Sequence, residues 1–268
     1  MRTREDMFRG MQERTVQLVL QYDGAGFAGW QRQPRERTVQ AVLEDALSRL
    51  CCSRVPVLGA GRTDAGVHAH GQSAGVRVPP KWTPRELRRA LNALLPPDVW
   101  VAAAHDMTPD FHARYSATSR RYCYRVGTDE ESRSPFRRRW EWALARPLDR
   151  AALDADAAAL LGDHCFRAFA VQGTAGPLDH HRCTVLHAEW RERPGGLEFE
   201  IEGNRFLHHM VRFLVGTMVD TATGRREAGS IAALLSAANN SNTSPPAPPQ
   251  GLFLEVVRYP CALYLTQE

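Results

Sequence analysis

The chain has 268 residues, of which 43% are hydrophobic and 24% charged, with a formal net charge of +4. That composition suits one large or two modest soluble domains, and no run approaches the roughly 18 consecutive apolar residues of a membrane span. The six cysteines (Cys51, Cys52, Cys123, Cys165, Cys183 and Cys261) form no C-x-x-C pair, so a disulfide framework is not expected and a reduced cytoplasmic setting is.

MRTREDMFRGMQER is polar and of mixed charge and lacks the apolar stretch of a secretory signal, so residues 1–13 are expected to be a disordered leader. TVQLVLQY then alternates, with Val16, Leu18, Leu20 and Tyr22 on one face, the pattern of a half-buried strand. Beyond Gly24, Gly26 and Gly29, Thr38 is placed to cap a helix whose stripe is Val39, Val42, Leu43, Ala46, Leu47 and Leu50. The glycine-rich stretch GAGRTDAGVHAHGQ (Gly59 to Gln72) follows. After it, Thr83 and Glu86 form a capping box with Pro84 at the first helical position, and Pro96-Pro97 ends that helix.

SRRYCYRVG reads as a strand and PLDRAALDADAAALLG as a helix that Gly162 can terminate. CTVLHAEW and LEFEIEG read as two strands joined at Pro194 to Gly196, the second with Glu198, Glu200 and Glu202 on a wet face. Helices are expected over about 206–220 and 231–238, then a proline-rich loop over 239–250 and a last strand, GLFLEVVRYP. The strand pairs look antiparallel, which argues for α+β with helices on one face of a sheet. Two related halves are expected, over 14–115 and 116–268.

Three readings compete for Gly59 to Gln72. A dinucleotide loop fails, because the third glycine of G-x-G-x-x-G is replaced by Asp64, which would repel a pyrophosphate, and no amphipathic helix follows. A metal site is disfavoured. His68 and His70 stand two apart, and neither His180, His181, Cys183 and His187 nor His208 and His209 have ligand spacing. His105, Asp106, Asp110 and His112 read as a plain loop. The third reading is a single functional carboxylate at Asp64; from the loop alone an Asx-turn aspartate is favoured over it. Arg120, Arg121 and Arg125 interleave with Tyr122 and Tyr124, and Arg137, Arg138 and Arg139 lie between Phe136 and Trp140. That mixture suits RNA, and a solvated strand face equally well.

GRTDAGVHAHGQ closely resembles the signature of the tRNA pseudouridine synthase A family, and four further blocks do the same in the family's order. They are YDGAGFAGWQRQ (Tyr22 to Gln33) with Thr38 to Gln40, DFHARYSATSRRYCY (Asp110 to Tyr124), NRFLHHMVRFLVGT (Asn204 to Thr217) and GLFLEVVRYP. The resemblance covers about Val16 to Pro260. It implies two α+β halves, each an antiparallel sheet with helices on one face, joined into an extended central sheet with the active-site cleft between them. It also implies conversion of uridine to pseudouridine on the 3′ side of the tRNA anticodon arm, with neither cofactor nor metal, by a homodimer whose subunits share one tRNA.

By the same resemblance Asp64 is the catalytic residue and Arg212 its ion-pair partner. Arg62 fills the space left by the flipped base, Tyr122 stacks on the uracil and is a candidate for taking the C5 proton, and Leu252 walls the pocket. Phe111, His112 and Arg114 match a block that contacts RNA. Residues 239–250 lack an expected arginine, and Gly173 to His181 diverges from the pattern. An RNA-binding protein of the same fold without catalysis is the alternative.

Overall fold

The computed structural model describes residues 13–174 and 180–265. All of the expected leader but Glu13, and the middle of the divergent 173–181 segment, lie outside the described residues. The chain divides into two compact units, Met1–Thr118 with Val256–Glu268, and Ser119–Glu255.

In the first unit, TVQLVLQY becomes β1 (Arg14–Tyr22), which runs antiparallel to β3 (His68–Val78) on one side and to β4 (Val99–Asp106) on the other. The short β2 (Leu58–Gly59) pairs with β3 at Gly75 and Ala74. Val16, Leu18 and Leu20 are fully buried. The same unit buries Val39, Leu43 and Leu47 of α1 (Val39–Cys51), and Leu87 and Leu91 of α2 (Pro84–Leu94). Each such leucine or valine contributes on the order of 1.5–3 kcal/mol. The expected caps are present: Thr38 accepts from the Ala41 amide at 3.4 Å. Glu86 and Thr83 exchange amide–side-chain bonds at 3.3 and 3.1 Å.

Besides the two-residue β2, two long strands of this unit have no counterpart in the sequence reading. HAHGQSAGVRV forms β3 because almost every position is buried, and a strand covered on both faces carries no alternation. VWVAAAHD forms β4 despite its alanines. His105 and Asp106 therefore belong to a strand and not to a loop, and Asp106 accepts from Arg14 at 3.2 Å. The C-terminal residues return to this unit, where the Tyr259 hydroxyl donates to the Ala113 carbonyl at 2.6 Å and to Ser73 Oγ at 2.9 Å.

In the second unit β5 (Ser119–Gly127) pairs antiparallel with β9 (Gly196–Gly203), β9 with β8 (Arg182–Arg193), and β8 with β7 (Gly162–Cys165). The two-residue β6 (Trp142–Ala143) lies parallel to β5. The β8–β9 hairpin turns at Pro194-Gly195, where Gly195 has φ +77°. The expected wet face is a ladder of opposite charges: Arg121 meets Glu202 at 2.8 Å and Glu200 at 3.4 Å, and Arg125 meets Glu198 at 3.1 Å. Arg120 donates to the Asn204 carbonyl at 2.7 Å. The arginines of SRRYCYR are thus engaged within the sheet.

The helices of this unit are α3 (Arg150–Ala158), α4 (Met210–Ala222) and α5 (Ser230–Leu235), and α3 packs against both of the others and against β8. α4 is buried nearly all round, so it shows little amphipathic signal. It begins at Met210, four residues later than expected, because His209 sits in the left-handed region at φ 62°. α3 ends at Ala158 instead of reaching Gly162, and α5 stops at Leu235. The last strand, β10 (Leu252–Arg258), starts beside β5; Leu252–Glu255 fall in this unit and Val256–Arg258 in the first. Both units are α+β, and every pairing described above except β5–β6 is antiparallel.

Candidate active site

Asp64 lies in the loop between β2 and β3, half-buried, and its neighbours are fixed by the glycine-rich block that precedes α1. The Trp30 amide donates to the Thr63 carbonyl at 3.0 Å, and the Gly66 amide to the Phe27 carbonyl at 3.3 Å. The Val67 amide donates back to the Asp64 carbonyl at 3.2 Å, closing the turn. Thr63 Oγ1 and the Tyr22 hydroxyl are 2.7 Å apart in a buried pair. Gly24 and Gly29 are required by this contact. A Cβ on Gly24 would lie 2.0 Å from the Val67 carbonyl oxygen, and one on Gly29, already at φ +99°, 2.8 Å from that of Thr63.

His68 closes the far side of the loop: its Nδ1 accepts from the Gly24 amide at 3.0 Å and stands 3.2 Å from Asp23 Oδ1. Gln72 donates to the Gly61 carbonyl at 3.0 Å. Two blocks far apart in sequence therefore form one clamp, which holds the backbone on both sides of Asp64. Arg62 is solvent-exposed beside it.

The other expected residues of this unit have distinct surroundings. Phe111 is buried and packs edge-on against Tyr259 with ring centroids 5.1 Å apart, a core position with little surface for RNA. His112 accepts from the Arg114 and Tyr115 amides at 3.2 Å each through Nδ1, which shapes the turn. The exposed Arg114 guanidinium lies 5.7 Å from the ring of Tyr115, itself strongly exposed. Arg114 and Tyr115 form the part of this block open to solvent.

Tyr122, Arg212 and Leu252 belong to the second unit. Tyr122 on β5 is 8% exposed, with its ring edge-on to Phe206 at 5.1 Å. Arg212, in the first turn of α4, donates through Nε to the Ala247 carbonyl at 2.7 Å, while the Ala247 amide donates to the Arg212 carbonyl at 2.9 Å. Leu252 is buried at the start of β10. The proline-rich loop before it is anchored by Tyr124, whose hydroxyl donates to the Pro248 carbonyl at 2.7 Å. Burial pushes the Tyr124 hydroxyl well above its ordinary value, so it remains a protonated donor.

Sequence reasoning passed over Tyr22, Thr63 and His68 as parts of the site. The signal for them was the block YDGAGFAGW, whose glycines make sense only when another backbone lies against them.

The sequence profile of the tRNA pseudouridine synthase family matches residues 18–116 and 157–260. The chain is 42% identical to tRNA pseudouridine synthase A of Myxococcus xanthus, over 91% of each chain. It is 39% identical to that of Moorella thermoacetica, over 91% of this chain and 99% of the relative. With that of Geobacter sulfurreducens the identity is 37%, over 92% of this chain and all of the relative.

Proposed function

The chain belongs to the tRNA pseudouridine synthase family and is an isomerase that converts uridine to pseudouridine in tRNA; on that premise we propose that its target is the anticodon arm and that Asp64 is its catalytic residue. The reaction breaks the bond between ribose C1′ and uracil N1, turns the base, and joins C1′ to C5. The hydrogen on C5 leaves and N1 gains one, so atoms balance without an oxidant or a transferred group. What such a reaction asks of the protein is a fixed carboxylate, a surface for the turned base, and a group to take the C5 proton.

The clamp around Asp64 is the observation that carries this reading. The backbone bonds of Thr63, Asp64 and Gly66, with the Tyr22–Thr63 side-chain pair, hold a half-buried carboxylate on a loop too short to drift. An Asx-turn aspartate would need no such support from a second block. Arg62, exposed and planar, suits the space left when a stacked base is extruded, a step that costs a few kcal/mol. Tyr122 offers a ring for the uracil and a hydroxyl as a candidate for taking the C5 proton, Leu252 an apolar wall, and Arg212 is the ion-pair partner that the resemblance assigns to the carboxylate. Arg114, with Tyr115 beside it, is assigned to the RNA backbone. A homodimer and a cytoplasmic location complete the proposal. The first rests on the resemblance to the family, and the second is supported by scattered cysteines without C-x-x-C spacing.

The test of the target is a tRNA carrying tritium at uracil C5 in the anticodon arm only, beside one labelled in another arm only. Tritium should be released from the first and not from the second. Release from the second alone would overturn the choice of arm. Binding of both without release would favour the RNA-binding alternative. Sedimentation should give twice the chain mass, and a monomer at micromolar concentration would remove the dimer.

A further inference from the structure

We propose that a small cationic pocket in the second unit, built by Arg133, Arg138, Trp142 and Gln250, is a subsite for RNA phosphodiester groups outside the uridine site. The pocket has a volume of about 310 Å³ and is completed by Ala143; among the described residues no acidic side chain lines it. The proposal rests on tRNA being the substrate.

The segment 129–142 carries four arginines, and the structure separates them. Arg137 is a rivet: it pairs with Asp129 at 2.8 Å and with the buried Glu141 at 2.9 Å, and donates to the Gly195 carbonyl at 3.1 Å. Its neighbour Arg139 lies over the ring of Trp140 at 5.2 Å. Arg133 and Arg138 are exposed, and among the described residues neither guanidinium has an ion-pair or hydrogen-bond partner. Asp129 and Glu141 are taken by Arg137, with Arg193 also on Glu141, and the exposed Glu130 and Glu131, in the turn that ends at Arg133, do not line the pocket.

Two guanidinium groups lining one pocket repel each other, in part screened by solvent, and a bound anion relieves that repulsion. Their planar forks fit a phosphate better than a point charge does. The walls are fixed in advance. Trp142 is held through β6 against β5 and stands edge-on to Tyr124 at 6.5 Å. Gln250 follows the proline-rich loop that Tyr124 anchors at Pro248. Between Arg133 and Arg138 in the chain, Phe136 is 88% exposed, a surface on which an unpaired base can stack. A fixed cationic pocket with a bare aromatic ring in the same segment matches a nucleic-acid strand better than a protein or lipid partner.

The experiment measures tRNA affinity against salt for the wild type, Arg133→Ala/Arg138→Ala and Arg133→Lys/Arg138→Lys. Each phosphate contact contributes about 0.7–0.9 to the slope of log K against log salt, so the alanine pair should lower it by about 1.4–1.8. KM for tRNA should rise while kcat at saturation stays, and the lysine pair should keep most of the slope. Both side chains are exposed, so the unfolding midpoint should not move. Arg137→Ala should lower that midpoint and leave the slope alone. An unchanged slope and KM in the alanine pair would overturn the proposal. So would a fall in kcat alone, or a loss of self-association without a change in slope, which would assign the pocket to an acidic segment of a second copy. Wild-type binding without tritium release would refute the assigned activity and leave the slope comparison readable.

Discussion

Arg62 and Tyr22 carry the most direct predictions at the scale of single residues. Arg62→Lys keeps a charge but loses the flat surface, so turnover should fall far more than tRNA affinity; unchanged turnover would remove Arg62 from base extrusion. Tyr22→Phe takes away the partner of the buried Thr63 hydroxyl, one residue from Asp64. Its expected effect is a loss of about 1–3 kcal/mol in stability together with a lower kcat, read from thermal unfolding and tritium release. Asp64 and its neighbours were only partly legible in the sequence. The arginine, the aspartate and the glycines were visible, but loop physics alone favoured a structural aspartate, and four distant blocks were needed to reverse that. Phe111 belongs to a block that the resemblance assigns to RNA contact, and its ring packs edge-on against Tyr259, roughly 150 residues away, a partner that no local pattern announces.

Among the elements, those with a physical stop or start signal were readable and those fixed by their neighbours were not. α2 has its capping box where Thr83 and Glu86 predict it, and Thr83→Ala should cost about 1 kcal/mol with catalysis unchanged. β3 is buried on both faces and has no alternation to read, and β4 is alanine-rich and exists because β1 offers it an edge. The start of α4 is set by the left-handed backbone of His209, which sequence does not reveal. Gly24→Ala should displace the Asp64 turn through its clash with the Val67 carbonyl, lowering kcat more than the unfolding midpoint.

The helical layer of the second unit contains Asp156, 2% exposed on α3. Burial raises its pKa above the ordinary aspartate value, partly opposed by hydrogen bonds from Thr221 and the Ile231 amide and by the Arg226 charge. The native state therefore keeps this proton to a higher pH than the unfolded chain does. That stabilising difference is fully present below about pH 3.9, the unfolded value, and is lost as pH rises through the native pKa. Asp156→Asn should flatten the unfolding midpoint over that window, and an unaltered pH profile would contradict the assignment.

On the scale of the whole molecule, the chain order distributes the chemistry. Arg62, Asp64 and Arg114 fall in the first unit, and Tyr122, Arg212 and Leu252 in the second. Val256–Glu268 group with the first unit, anchored by Tyr259, so the closing block GLFLEVVRYP contributes residues to both. A reading along the chain could place these blocks in order but not see that return, because it depends on hydrogen bonds between residues far apart in sequence. The central claim is that one carboxylate, held by the clamp, performs the isomerisation. Single-turnover tritium release from anticodon-arm RNA, by wild type and Asp64→Asn at equal RNA occupancy, tests it most directly. The account predicts release by the wild type and a fall of at least about 10²–10⁴-fold in the variant, with RNA affinity retained. Equal rates from the two proteins would contradict it.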